Sequence, residues 1–177
     1  MLDAKNYTAR ETLKNGLQVT IRAIRPDDRD DFLAAFNELD ERSIYLRFFT
    51  ANKSFSEKEL TQAVDVDFIR IVALVTCIKD NDEEKIIGGG RFFVFGDSNP
   101  PEKAEVAFMV SNDYHSLGIA GMMLRHLAGI ATEMGIKEFY AEVMSGNTGM
   151  LTVFKRSGFP IKLDYESDVT HVTLDIG

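Results

Sequence analysis

The chain has one cysteine, no tryptophan, three histidines and four prolines in 177 residues. A single Cys77 excludes an intrachain disulfide framework. It lies inside the apolar run IVALVTCI, where a small buried hydrophobe is the expected role. His115, His126 and His171 are scattered, with no Cys or His at ligand spacing, so no metal centre is expected. No apolar stretch approaches the roughly 18 residues that span a bilayer, and the opening MLDAKNYTAR has no hydrophobic signal core. The expectation is a soluble, cytoplasmic protein without a membrane partner. A basic stripe is missing too: 20 Lys and Arg against 28 Asp and Glu leave a net charge of −8, which argues against nucleic acid and favours cationic partners. Repeats and low-complexity tracts are absent, and the polar stretches KDNDEEK and GDSNPPEKAE are loop-sized, so residues 1–177 are expected to form one domain.

The hydrophobic pattern supplies the elements. Asn15-Gly16 between strand-like runs signals an N-terminal hairpin, because both residue types tolerate positive φ. Pro26 and Asp27 open an amphipathic helix with Phe32, Leu33, Phe36 and Leu39 along one face, ERSIYLRFF forms a short helical segment, and SFSEKELTQAV begins another with Ser56 and Glu59 at capping-box spacing. IRIVALVTCI and KIIGGGRFFVF, joined by the acidic turn KDNDEE, are followed by EVAFMV after Pro100-Pro101 and read as an antiparallel meander. A helix from about Gly118 to Met134, the strand EFYAEVM, a helix from about Thr148 to Ser157, and strands near PIKLDYE and THVTLDI complete a mixed α/β sheet.

Where EVAFMV ends and the helix begins, the first-turn N–H groups have no intrahelical partner and the helix dipole adds partial positive charge. Gly118, Ala120 and Gly121 leave room for a bulky phosphate at the backbone, and a pyrophosphate is the natural ligand. A P-loop needs Gly-Lys-Ser/Thr, but no lysine lies between Lys103 and Lys137. A dinucleotide fingerprint needs G-x-G-x-x-G directly after a parallel strand, whereas Gly118-Ile-Ala-Gly121 follows a longer loop and a meander. Gly88-Gly89-Gly90 lies within a strand, where a bulge or close packing explains it.

The stretch from AEVAFMV to KRSGF resembles the cofactor-binding core of the GNAT superfamily of acyl-CoA-dependent N-acetyltransferases. Its phosphate loop has the form Gln/Arg-x-x-Gly-x-Gly/Ala, matched with one substitution by His115-Ser-Leu-Gly118-Ile-Ala120. Its later motif is matched by Asn147, Met150 and Gly158-Phe159. More narrowly, IRAIRPDD, SIYLRFF and SEKEL resemble the acetyltransferase domain of bacterial protein lysine acetyltransferases. The resemblance implies a mixed, mostly antiparallel central sheet of six to seven strands with helices on both faces, and acetyl-CoA as donor. Cofactor contacts are then expected from Phe108, Met109 and Val110 on the strand, from His115, Ser116, Leu117, Gly118, Ile119, Ala120 and Gly121 in the loop, and from Asn147, Met150 and Phe154. Two departures stand out. His115 and Leu117 replace side chains that are often cationic, which leaves backbone donors to carry the pyrophosphate, and Phe154 replaces the tyrosine that many relatives use as general acid.

An amine acceptor near pKa 10.4 must lose a proton before it attacks. The resemblance assigns that proton to Glu105, through water, with Glu142 as a second candidate for base or amine contact. By strand alternation Glu105 shares a face with Ala107 and Met109, opposite Val106, Phe108 and Val110. The acceptor expected first is a lysine of a basic protein. A small amine, or a catalytically weak acyl-CoA-binding module, are the alternatives, and a homodimer is open.

Overall fold

The computed structural model describes residues 3–48 and 54–177. Phe49, the last residue of the expected segment ERSIYLRFF, lies outside the described residues. Eight strands form one sheet in the order β1-β2-β3-β4-β5-β6-β8-β7: β1 (Thr8–Thr12), β2 (Gln18–Ala23), β3 (Ile71–Asp80), β4 (Glu83–Phe95), β5 (Lys103–Val110), β6 (Glu138–Met144), β7 (Ile161–Glu166) and β8 (Val169–Asp175). This is slightly more than the six to seven expected. The outermost strands β1 and β7, each without a fully buried residue, are both marked by the hydrophobic pattern, and the lower count came from the family resemblance. All neighbours pair antiparallel except β5 and β6, which are parallel.

The helices are α1 (Arg29–Asn37), α2 (Glu41–Phe48), α3 (Glu57–Val64), α4 (Ile119–Glu133) and α5 (Thr148–Lys155). On one face α4 and α5 bury Met123, Leu124, Leu127, Leu151 and Phe154 against Val72, Leu74, Phe92, Val106, Phe108 and Phe139. On the other, Phe32 and Ala35 of α1 and Leu60 and Val64 of α3 pack on Ala73, Val75 and Cys77. β3 is covered on both faces, which is why IVALVTC is continuously apolar instead of alternating. Burial pushes the Cys77 thiol up to about 12, in keeping with a packed hydrophobe. The capping box of α3 forms as spaced: Glu59 N–H donates to Ser56 Oγ at 3.1 Å, and Ser56 N–H donates to Glu59 Oε1 at 3.3 Å. Among the described residues no helix is long and apolar enough to cross a membrane.

The glycine run in β4 sets the spacing around the site. A bulge lies there, with Thr76 opposite Gly88 but Cys77 opposite Ile86. A Cβ on Gly90 would stand 2.9 Å from the Phe108 ring, and one on Gly88 would stand 3.1 Å from Ile119 Cγ2. Glycine therefore lets β5 and the first turn of α4 close onto the sheet.

Candidate functional site

The β5–α4 junction is a short 3-10 turn, Asn112–Tyr114, followed by His115 to Gly118. Ser116 has φ 65° and Gly118, the residue before the helix, φ 89°. Left-handed residues alternating with ordinary ones turn successive N–H groups to one side of the chain, an arrangement that binds anions. Among the described residues no acceptor is present for the main-chain N–H of residues 116–121, no side chain caps α4, and its first turn has no acidic residue. These donors lie at the positive end of a 15-residue helix. Ile119 is buried and Leu117 packs against the core, so their contribution to a ligand comes through the backbone. The hairpin between β1 and β2 reaches this loop: Lys14 N–H donates to the Leu117 carbonyl at 3.4 Å, and Lys14 Cε passes 3.3 Å from where a Cβ on Gly118 would stand. A cation thus lies beside the loop although its own sequence has none.

Next to the loop the sheet is open. β5 and β6 pair only at Lys103–Glu105 with Glu138–Tyr140, and β5 continues five residues further, to Val110, with no partner on that side. Ser111 N–H donates to the Ile87 carbonyl of the β4 side, and Lys137 N–H to the Glu102 carbonyl of the β5 side. Alternation therefore directs the main-chain groups of even residues, Phe108 and Val110 among them, into the gap, and those of Met109 toward β4. His115 Nε2–H donates to the Val110 carbonyl at 2.8 Å, so this side chain turns back onto the strand end.

Glu105 is half-buried at the last residue of the parallel segment, opposite Tyr140. Burial, and then the Glu142 carboxylate, hold its pKa above the ordinary carboxylate value, while Arg47 opposes them. Alternation places Ala107 and Met109 on its face and Val106 and Phe108 in the core, as the sequence indicates. Glu142 lies beyond the parallel segment, exposed, and opposite His171 of β8. It accepts the Tyr140 hydroxyl at 3.2 Å; His171 Nδ1 is hydrogen-bonded to the same hydroxyl and His171 Nε2 to Glu166 at 2.9 Å. Burial, followed by Glu142, raises the Tyr140 phenol to about 12. Glu105 is thus the carboxylate at the mouth of the gap, and Glu142 belongs to a hydrogen-bonded cluster beside it.

Asn147 caps α5, its Oδ1 accepting the Met150 N–H at 3.2 Å. Met150 is half-buried against the core, and Phe154 is buried with its ring 6.3 Å from that of Phe108. With no hydroxyl and no exposed edge, Phe154 supports the strand from behind and supplies no proton.

A family model described as an acetyltransferase (GNAT) domain matches residues 18–160. The chain belongs to the GNAT acetyltransferase family. It is 27% identical over 149 residues to an acetyltransferase of Pseudomonas aeruginosa, covering 84% of this chain and 78% of that one. It is 26% identical to acetyltransferase Pat of Mycolicibacterium smegmatis, covering 82% of this chain and spanning 42% of that relative's length. The GNAT domain of S. lividans PAT superposes with a TM-score of 0.86 at 29% identity, over 95% of this chain and 96% of that one. The Salmonella typhimurium protein yncA, solved with its cofactor acetyl-CoA, shares the fold at a TM-score of 0.70 and 14% identity, over 90% and 94% of the two chains.

On the Glu105 face of this GNAT sheet, a cavity of about 380 Å³ separates α1, α2 and α3 from β3, β4 and β5. Phe32, Phe48, Phe55 and Ala107 line it, together with Arg47 and Arg91. Sequence reading passed over Lys14 and both arginines. Each is remote in sequence from the residues it joins, and each sits in a segment whose periodicity already explained it.

Proposed function

We propose that this GNAT domain is an acetyl-CoA-dependent N-acetyltransferase that transfers the acetyl group directly to a primary amine, a lysine side chain of a protein first among them. The observation that carries the reading is the row of unpartnered amides at residues 116–121 beside an opening in the sheet that ends at Glu105. The residues fit the cofactor: the loop amides and the α4 dipole suit a diphosphate, glycine at 118 leaves the backbone accessible, and the unpaired edge of β5 suits an amide-bearing pantetheine arm laid alongside as a further strand. Bound there, acetyl-CoA supplies a thioester whose carbonyl is open to nucleophiles.

The chain's own groups do the rest. A main-chain N–H from Phe108 or Val110 donates to the thioester carbonyl oxygen, where charge grows as the amine adds. Glu105, its proton affinity raised by its surroundings, takes the amine proton through water. The thiolate is reprotonated by solvent or by the product ammonium, since Phe154 has no acidic hydrogen. The lysine acceptor is supported by the likeness to the PAT domain and by the acidic groups Glu105, Glu142 and Glu166 around the opening, which suit a cationic approach. A cytoplasmic setting belongs to the same proposal, supported by the free Cys77.

Calorimetric titration with acetyl-CoA, a thiol-release assay, and radiolabelled acetyl-CoA offered with basic proteins and small amines test this. Labelled protein supports the lysine acceptor, and labelled small amine alone replaces it. Binding without turnover makes the chain an acyl-CoA-binding module, and absence of binding removes the proposal.

A further inference from the structure

The cavity under α1, α2 and α3 contains two cations that proton removal and cofactor binding do not use. A guanidinium keeps its charge at neutral pH and presents donors in a fixed planar fork. Partly withdrawn from water, as Arg47 and Arg91 both are, it favours oxygen acceptors and a balancing anion. Arg91 places one donor on the Ala63 carbonyl at 2.9 Å. Arg47 lies 4.7 Å from the centroid of the Phe48 ring, and among the described residues no hydrogen-bond acceptor is present for its guanidinium. Burial, followed by the charge of Arg91, draws the Arg47 guanidinium down to about 10, with Glu105 opposing. Burial lowers Arg91 as well. Neither nearby carboxylate is hydrogen-bonded to these guanidinium groups: Glu59, exposed on the cavity wall, holds the Ser56 N–H, and Glu105, at the strand gap, acts on Arg47 only through its charge.

We propose that Arg47 and Arg91 bind a carboxylate carried by the acceptor, so that the amine acetylated here belongs to a molecule or segment that also presents a carboxylate. This rests on the reading of the chain as an acetyl-CoA-dependent N-acetyltransferase. The cavity opens on the face of Glu105, Ala107 and Met109, whereas the phosphate loop belongs to the α4 face. A group held by the arginines therefore meets the thioester from the side of the base. The volume of about 380 Å³ is at the small end of ligand pockets, and its phenyl rings suit the methylene stem of an amino acid. In the transfer, the bond between acceptor nitrogen and acetyl carbon forms and the thioester carbon–sulfur bond breaks. One amine proton leaves through Glu105, and solvent returns one to the thiolate.

A free amino acid and an acidic residue beside a target lysine offer the same chemistry, so paired probes separate them: lysine against cadaverine, and a lysine peptide flanked by glutamate against one flanked by glutamine. The carboxylated member of one pair is expected to exceed its partner by roughly 10- to 100-fold in kcat/KM, the range for a hydrogen bond to a charged group at a half-buried site. Arg47→Gln and Arg91→Gln are expected to bring that ratio close to one. The ratio is internal to each variant, so partial loss of folded protein cancels, and Arg91→Lys, which keeps the charge, is expected to retain part of it. Calorimetry of the same probes on CoA-saturated protein supplies a reading independent of turnover. Equal use or equal binding within both pairs, no binding of any probe, or a ratio unmoved in both Gln variants overturns the proposal. So does an arginine dependence that follows succinyl-CoA over acetyl-CoA as donor. Arginine-dependent binding without turnover keeps the carboxylate pocket and removes the catalytic reading, whereas turnover that ignores the carboxylate does the reverse.

Discussion

Glu105→Gln keeps the size of the side chain and removes its ability to take a proton. An amine near pKa 10.4 is neutral in about one molecule in 1,000 at pH 7.4, and losing a positioned general base costs about 10²- to 10⁴-fold in rate. The variant must rely on amine that is already neutral, a fraction that grows tenfold per pH unit until the amine's own pKa. Its deficit at pH 7 is therefore expected to shrink steadily toward pH 10. The native protein is expected to lose activity on the acid side as Glu105 protonates, at a pH above 4.5, because burial and then Glu142 raise that pKa. Glu142→Gln is expected to move this acid limb downward. Stability supplies a control with its own sign. A carboxyl whose pKa is raised by folding holds its proton more tightly in the folded chain, so its penalty is full above the folded pKa, shrinks as pH falls through it, and is gone below the unfolded pKa. Glu105→Gln is thus expected to melt at the same temperature or slightly higher at pH 7.5. The assay is thiol release at saturating acetyl-CoA from pH 5 to 10, beside thermal melts. A variant as active as the native protein at pH 7, or a deficit of constant size up to pH 10, refutes Glu105 as base.

Other outcomes follow from the same geometry. Lys14→Glu is expected to raise KM for acetyl-CoA about 5-fold with kcat unchanged, and the difference is expected to fade in high salt, since an exposed charge next to an anion is worth up to about 1 kcal/mol and is screened. Gly118→Ala forces a side chain into φ 89° and against Lys14 Cε; the left-handed cost of about 1–2 kcal/mol is expected to lower Tm by several degrees and to weaken CoA binding in calorimetry. Asn147→Ala removes the cap of α5 and is expected to cost about 1 kcal/mol in denaturant unfolding.

The elements were legible because their periods are clean. α4 and α5 run within two residues of the expected ends, Ser56 and Glu59 form the box their spacing indicates, and Asn81 and Asp82 make the expected turn with φ 53° and 65°. The strand count of six to seven came from the family resemblance; the pattern itself marks all eight, including the edge strand β7, which is exposed along most of its length. In the site, Gly118 and its neighbours were readable because a loop motif is local. The other half was not: Arg47 meets Arg91, and Lys14 meets Gly118, only once the sheet has formed, and no local spacing encodes that. His115 looks like a loop ligand in one dimension, but in the fold it is tied to Val110.

The three-pair seam between β5 and β6 leaves strands one to five and six to eight joined by few main-chain bonds, the last of them at Glu105, above a core the two sets share. A molecule laid along the open edge adds main-chain bonds where the seam lacks them. Cofactor loading should therefore register along the open edge, as slower amide exchange at Phe108 and Val110, and as a higher melting point for the whole sheet.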